Sequence, residues 1–412
     1  MNWKKKFVRN WGRLGMKFNT MKMEDALDAL IDYRGKTPQK SKTGIMTLSA
    51  KSVKNNHIDY SQCYFISEEE YEKFMVRGFP KKGDILLTTE APLGLVARLD
   101  RNDVAIAQRL LTLRGKENVL DNDYLLYYLQ SPIGQASLKA RETGTTVTGI
   151  KQAEFRKIEI EIPDYEVQKK VSGILRVIDQ KIELNNAINN NLEQQAVAVF
   201  NKFYDTSTNQ QPFTTLINVL GGGTPKTGNP EFWDGSIPFF TPKDVGTPYT
   251  FKTEKYITES GLKHCNSRLY PQNTTFVTAR GTVGKISLAG SPMAMNQSCY
   301  ALASDIVDPL LVYFYVLKAV TSLKCKASGA VFDAIVTRDF DDEMINILSD
   351  TDSESALSII KPMMEAIHNN SKENMRLSAV RDALLPKLIS GESMFPHWTF
   401  KPLNYCLLPY CF

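Results

Sequence analysis

Apolar positions along the chain follow two alternating patterns. In residues 23–162 and again in residues 213–348 they come in short runs broken by Gly, Pro and Asn. Asp84-Ile85-Leu86-Leu87-Thr88-Thr89 follows Lys82-Gly83, and Thr274-Thr275-Phe276-Val277-Thr278 follows Pro271-Gln272-Asn273. β-Rich runs bounded by turn residues predict strands. Short helices are predicted over 123–129 and 310–323. From Val171 the rhythm changes: Val171, Ile174, Ile178, Ile182, Ile188, Leu192, Ala196, Val199 and Phe203 recur at helical steps. Asp164, after Pro163, is the candidate N-cap, and a helix over 165–204 would be about 60 Å long at ~1.5 Å per residue. A second seam carries Leu357, Ile360, Met364, Ile367, Met375, Ala379 and Leu384. It opens on the capping-box pattern Thr351-Asp352-Ser353-Glu354 and closes at Ser390-Gly391. One apolar seam on so long a helix needs a partner, and the second helix supplies it. Asn185, Asn186, Asn189, Asn190 and Asn191 interrupt the first seam. Asparagine there costs stability but fixes register.

The two halves repeat one plan. Gly35-Lys36-Thr37-Pro38 returns as Gly222-Gly223-Thr224-Pro225, and Thr89-Glu90-Ala91-Pro92-Leu93-Gly94 returns loosely as Thr278-Ala279-Arg280-Gly281-Thr282-Val283-Gly284. Ala107-Gln108 answers Asn296-Gln297, Gly144-Thr145-Thr146-Val147 answers Gly329-Ala330-Val331, and Ile182-Glu183-Leu184-Asn185-Asn186 answers Ile367-His368-Asn369-Asn370-Ser371. The order is kept at a nearly constant spacing, which chance matches would not hold. The expected fold class is α+β: two similar α/β domains separated by two long antiparallel coiled-coil helices, in a pseudo-twofold internal repeat. The expected division is a basic extension (1–22), a first domain (23–162), a first helix (163–205), a polar linker (206–212), a second domain (213–348), a second helix (349–391) and a tail (392–412).

Composition adds bounds. At 412 residues, 42% hydrophobic and 23% charged, the chain can bury two or three cores. A net charge of +5 permits a polyanionic partner without demanding one. Cys63, Cys265, Cys299, Cys325, Cys406 and Cys411 form no CxxC pair, so free thiols are expected rather than a zinc site or disulfide framework. The basic N-terminus lacks the apolar core of a signal peptide. The apolar run over 309–317 falls short of the ~20 residues that span a bilayer. A cytoplasmic protein is expected.

Enzyme signatures fail on inspection. Gly223-Thr224-Pro225-Lys226-Thr227-Gly228 starts like a phosphate-binding loop, but Asn229 stands where the lysine is needed. No strand leads into GxGxxG, and Asn229-Pro230-Glu231 breaks the run that amino-methyltransferases use on a flipped base. A nuclease-like pattern can be spelled from Pro163-Asp164 and Asp179-Gln180-Lys181. A metal-dependent nuclease needs carboxylates converging on one cation, whereas these lie over ~20 Å apart along one helix. His57, His264, His368 and His397 have no triad partners in sequence. No catalytic or metal residue is assigned.

Taken together these motifs resemble the specificity subunit of type I restriction–modification systems. The first half contributes Asp32-Tyr33-Arg34-Gly35-Lys36-Thr37-Pro38, Lys82-Gly83-Asp84-Ile85-Leu86, Gly144-Thr145-Thr146-Val147 and Ile162-Pro163 followed by Gln168 and Ile178-Asp179-Gln180-Lys181-Ile182. The second contributes Gly223-Thr224-Pro225-Lys226, Thr278-Ala279-Arg280-Gly281-Thr282-Val283-Gly284 and Leu384-Leu385-Pro386-Lys387-Leu388-Ile389-Ser390-Gly391. The resemblance implies two target recognition domains, each reading one half of a split double-stranded DNA site, with the paired helices setting the gap. It implies two methyltransferase subunits using S-adenosylmethionine on an adenine amine, and motor–nuclease subunits. S-Adenosylmethionine, ATP and magnesium are thus expected on partners, with no cofactor in this chain. Two features depart from the pattern: the second helix lacks the Ile-Pro…Gln opening, and residues 393–412 add an aromatic-rich tail to which no function is assigned. The competing reading is a scaffold whose domains bind protein; salt-dependent DNA binding by a reconstituted complex would separate the two.

For DNA contact, phosphates need cations, hydroxyls or bare amides, and bases need hydrogen-bonding side chains in the grooves. Lys36, Thr37, Thr224 and Lys226 combine open backbone with charge and hydroxyls. Thr88, Thr89, Thr145 and Thr146 in one domain, and Thr278, Arg280 and Thr282 in the other, supply further contacts. Gln108, Arg109, Asn296 and Gln297 suit adenine or guanine edges. If the helices act as a ruler, inserting four residues near 189–191 adds about 6 Å and nearly keeps the facing side. A matching insertion near His368 restores the seam if the partner helix does not tolerate the local mismatch. With ~3.4 Å per base pair, the gap between half-sites should lengthen by one or two base pairs while each half-site is kept. Sequencing the methylated sites of the variant decides; an active complex with an unchanged gap contradicts the expectation.

Overall fold

The structure, a computed structural model, describes residues 17–392 except 34, 36, 145–147, 247 and 327–333. It divides into two compact units. One comprises the described residues up to Gln180 together with those from Leu377 to Glu392, and the other the described residues of Lys181–Arg376.

In the first unit β1 (Phe18–Lys22) pairs antiparallel with β9 (Glu159–Pro163). A four-stranded sheet has the order β2–β8–β5–β6, from Leu27–Asp32, Leu110–Gly115, Ile85–Thr88 and Val96–Arg98. A three-stranded sheet joins β4 (Tyr64–Ile66), β3 (Ile45–Leu48) and β7 (Val104–Ile106), with β3 antiparallel to β4 and parallel to β7. The Lys82-Gly83-Asp84 motif starts β5. Asp84 is fully buried and takes a two-pronged ion pair from Arg114, 2.7 Å on each arm. Helix α1 (Asn122–Gln130) buries Tyr124, Leu125 and Tyr127 against Ile85, Leu87, Leu111 and Leu113. α2 (Pro132–Lys139) follows.

The second unit uses the same sequence of pairings. β10 (Gln210–Pro212) pairs antiparallel with β19 (Met344–Asn346), so the expected polar linker contains a strand. The main sheet runs β11–β18–β15–β16–β13, from Asn218–Gly221, Cys299–Ala303, Thr275–Thr278, Ile286–Ala289 and Tyr249–Thr250. The small sheet again has one antiparallel and one parallel pairing, β12 (Trp233–Phe240) with β14 (Lys255–Ile257) and with β17 (Ala294–Met295). α4 (Pro309–Lys326) contains the apolar run flagged in the sequence. It is buried on most sides against Val277, Leu288 and Leu302, as a helix apolar all round must be. No helix among the described residues is long and apolar enough to cross a membrane.

Two long helices, α3 (Tyr165–Thr206) and α5 (Asp350–Ser390), contribute to both units. In the first unit Val171 and Leu175 of α3 join Leu385, Leu388 and Ile389 of α5 in the core beneath α1. Beside them Asp179 is 5% exposed. It accepts from Tyr127 Oη at 2.6 Å and from Arg381 Nη1 at 2.8 Å. Burial and the Asp179 carboxylate push the Tyr127 phenol up. In the second unit Ala196 and Phe200 of α3 pack with Ile360, Met364 and Ile367 of α5. The polar layer is here too: Asn185 Nδ2 donates to Glu373 and to Asn374, each at 2.8 Å, and Asn370 Nδ2 donates to Asn189 Oδ1 at 2.9 Å. Numbers rise on one helix as they fall on the other, so the segments run antiparallel. Amides from Asn185 and charge from Lys181 hold the Glu373 carboxyl below its usual range.

Three details of the helices differ from expectation. Ile188 is 40% exposed because Asn185 and Asn189 occupy the seam positions beside it. Ala379 is exposed. The second helix runs Asp350–Ser390, within the expected 349–391, but Ser349 and not the 351–354 box caps it, its Oγ accepting from Asp352 N at 3.1 Å.

Candidate nucleic-acid interface

The repeat is sharpest at one loop junction. After β5 the chain turns through residues 89–94. Thr88 Oγ1 accepts from Leu95 N at 2.9 Å and Gly94 N donates to Thr88 O at 3.0 Å. After β15, Thr278 Oγ1 accepts from Lys285 N at 3.0 Å and Gly284 N donates to Thr278 O at 2.8 Å. Thr88 is therefore the structural counterpart of Thr278, one residue earlier than the sequence motif suggested.

Each loop is clamped on both sides. Thr89 N donates to Arg109 O at 3.0 Å while Ile150 N donates to Thr89 O at 2.9 Å. In the second unit Ala279 N donates to Ser298 O at 2.8 Å and Ile335 N to Ala279 O at 3.0 Å. Glu90 bridges Gly149, and Arg280 bridges Ala334. Both loops end on a glycine at positive φ, +93° at Gly94 and +71° at Gly284. A Cβ there would lie 2.6 Å from Gln135 Oε1 or 2.5 Å from Lys324 Cε, so nothing larger fits without displacement. Gln135 Nε2 donates to Gly94 O at 2.9 Å and Lys324 Nζ to Gly284 O at 2.6 Å. One backbone frame thus carries different side chains in the two units.

The frame sorts the residues singled out in the sequence. Thr88 and Thr278 are fully buried and spend their hydroxyls on the loop, and Thr89 is 4% exposed. Burial leaves these three unable to reach a duplex, and they shape the junction instead. Exposed or half-exposed at the junction are Gln108 and Arg109 in the first unit, and Arg280, Thr282, Asn296 and Gln297 in the second. Asn296 Oδ1 is partly engaged by Ser298 N at 3.0 Å. Thr224 reaches the same place, its hydroxyl donating to Gln297 Oε1. Lys226 is exposed, with its carbonyl held by Trp233 Nε1 at 3.2 Å. Thr37 is exposed; Lys36, Thr145 and Thr146 lie outside the described residues.

Sequence reasoning missed Glu90, Gln135 and Lys324. Glu90 Oε1 lies 2.8 Å from Arg109 Nε. Gln135 and Lys324 stand alone on helices without any motif, and only the repeat spacing could have pointed to them. Among the described residues no group of three or more His, Cys, Asp or Glu side chains could hold a metal ion. Cys63, Cys265, Cys299 and Cys325 are free, with burial pushing the Cys299 thiol up to about 12.

A family model described as the type I restriction modification DNA specificity domain matches the chain twice, over residues 19–194 and 214–376. The chain belongs to that family. Among its relatives, the type I restriction enzyme MjaIX specificity subunit of Methanocaldococcus jannaschii is 24% identical over 356 residues, covering 79% of this chain and 81% of the relative. The HindI specificity subunit of Haemophilus influenzae is 23% identical over 411 residues, covering 76% and 87%. The crystal structure of a type I restriction–modification S subunit from M. genitalium aligns with a TM-score of 0.57 at 15% identity, covering 92% of this chain and 97% of that one, a likeness of fold.

Proposed function

We propose that this chain is the DNA-reading, non-catalytic subunit of a type I restriction–modification complex, with each recognition unit reading one half of a split target. The observation that carries the reading is the duplicated junction: one conserved hydrogen-bond frame presents Gln108 and Arg109 in one unit and Arg280, Thr282, Asn296 and Gln297 in the other. A constant frame with differing donors and acceptors is what two readers of different sequences need. Lys36, Thr37, Thr224 and Lys226 serve the phosphates, as do Thr145 and Thr146. Recognition domains over 23–162 and 213–348 accompany helices over 163–205 and 349–391.

In this reading two methyltransferase subunits supply S-adenosylmethionine chemistry on adenine, and motor–nuclease subunits supply ATP- and magnesium-dependent cleavage. The chain directs both and works in the cytoplasm. The purified chain alone, incubated with S-adenosylmethionine and a genomic DNA substrate, should incorporate no methyl label. Adding the methyltransferase subunits should restore incorporation. Methylation by the chain alone would overturn the assignment.

A further inference from the structure

We propose that Glu90 is a specificity-determining residue: it neutralises and orients Arg109 so that this arginine reads a base edge and does not clamp phosphate. The inference rests on the DNA-reading role proposed above. Arg109 sits on the turn between β7 and β8, and its carbonyl is tied to Thr89 N at 3.0 Å, immediately before Glu90. The carboxylate meets the guanidinium at Nε, 2.8 Å away, and the two side chains are 19% and 51% exposed. The carboxylate is thus largely shielded while the guanidinium keeps an open side.

A carboxylate at a DNA-facing surface repels phosphate, and a guanidinium paired with it contributes almost no net charge. Such a pair is a poor counterion for the backbone. It is well suited to base reading, where a fixed orientation of the fork matters more than charge. Arg109 itself holds left-handed backbone, φ +70°, which residues with a side chain rarely adopt, so the turn fixes the direction in which the guanidinium leaves the chain. The second unit builds no such pair. Arg280 occupies the position of Glu90, Ser298 that of Arg109, and Arg280 has no carboxylate partner among the described residues.

The test uses the full chain assembled with its methyltransferase subunits, with duplexes carrying every single base change in the recognised site and one unrelated duplex. Glu90→Gln frees the charge of Arg109. Binding to the unrelated duplex should strengthen and become more salt-sensitive, the loss between 50 and 200 mM salt growing by about threefold, one added phosphate contact. Discrimination at one base pair of one half-site should fall about 5- to 150-fold. The double variant Glu90→Gln/Arg109→Gln should lose the same discrimination while keeping the parent's salt dependence. A merely structural role for Glu90 would weaken binding to all duplexes evenly, and that result overturns the inference, as does an unchanged Glu90→Gln. Failure of the parent complex to prefer any duplex would instead overturn the DNA-reading role itself.

Discussion

Replacing Asp179 with alanine should destabilise the first unit by about 3 kcal/mol, the lower end of the range for breaking a buried ion pair. Asp179 is 5% exposed and is the shared acceptor for Tyr127 at 2.6 Å and Arg381 at 2.8 Å. Its removal strands a buried phenol and a guanidinium together, and an unpaired buried polar group forfeits its full desolvation cost. Arg381 keeps one partner, Asp382, at 2.9 Å; without it the cost would sit nearer the top of the range. Denaturant unfolding of the chain checks this, and a loss under about 0.5 kcal/mol, the range of ordinary surface changes, contradicts it. The triple variant Tyr127→Phe, Asp179→Leu, Arg381→Met removes all three polar groups at once. It should recover most of the loss, because apolar replacements of a buried pair are often neutral.

Arg280→Ala is expected to relax recognition of one half-site by about 1–3 kcal/mol at one base pair, a 5- to 150-fold change, and leave the other half-site intact. Arg280 is exposed on a loop whose backbone is fixed by Ala279 and its bridge to Ala334. Truncation therefore removes the reading group without disturbing the frame. Lys226→Ala, by contrast, should weaken binding evenly across sequences and flatten the salt slope by about one. Binding measured on duplexes with each half-site altered in turn separates the two outcomes. Equal losses on both half-sites for Arg280→Ala would contradict separate reading units.

The duplicated plan was legible because glycines and threonines that shape a junction leave fixed marks in sequence. Gly94 and Gly284 hold left-handed backbone, φ +93° and +71°, that favours glycine, and Thr88 and Thr278 must reach an amide seven residues on. The same marks misled at the site. Threonines conspicuous in the motif turned out to be its buried scaffold, since a sequence pattern reports that a residue is constrained and not whether water can reach it. Apolar periodicity located both long helices but put Ile188 in the seam, because Asn185 and Asn189 hold polar seam positions that a hydrophobic count passes over. The Glu90–Arg109 pair could not be read at all. It joins the start of the loop after one strand to a turn nineteen residues on, and nothing local marks it.

The central claim, two units that each read half of one DNA target, is tested most directly by sequencing methylated adenines in cells that carry the complete system, with the parent chain and with Arg280→Ala. The account predicts a split motif of two defined half-sites around a fixed stretch of unspecified bases. It also predicts that Arg280→Ala widens the accepted bases at one position of one half only. An unbroken motif in the parent, or a variant in which both halves relax together, would contradict it.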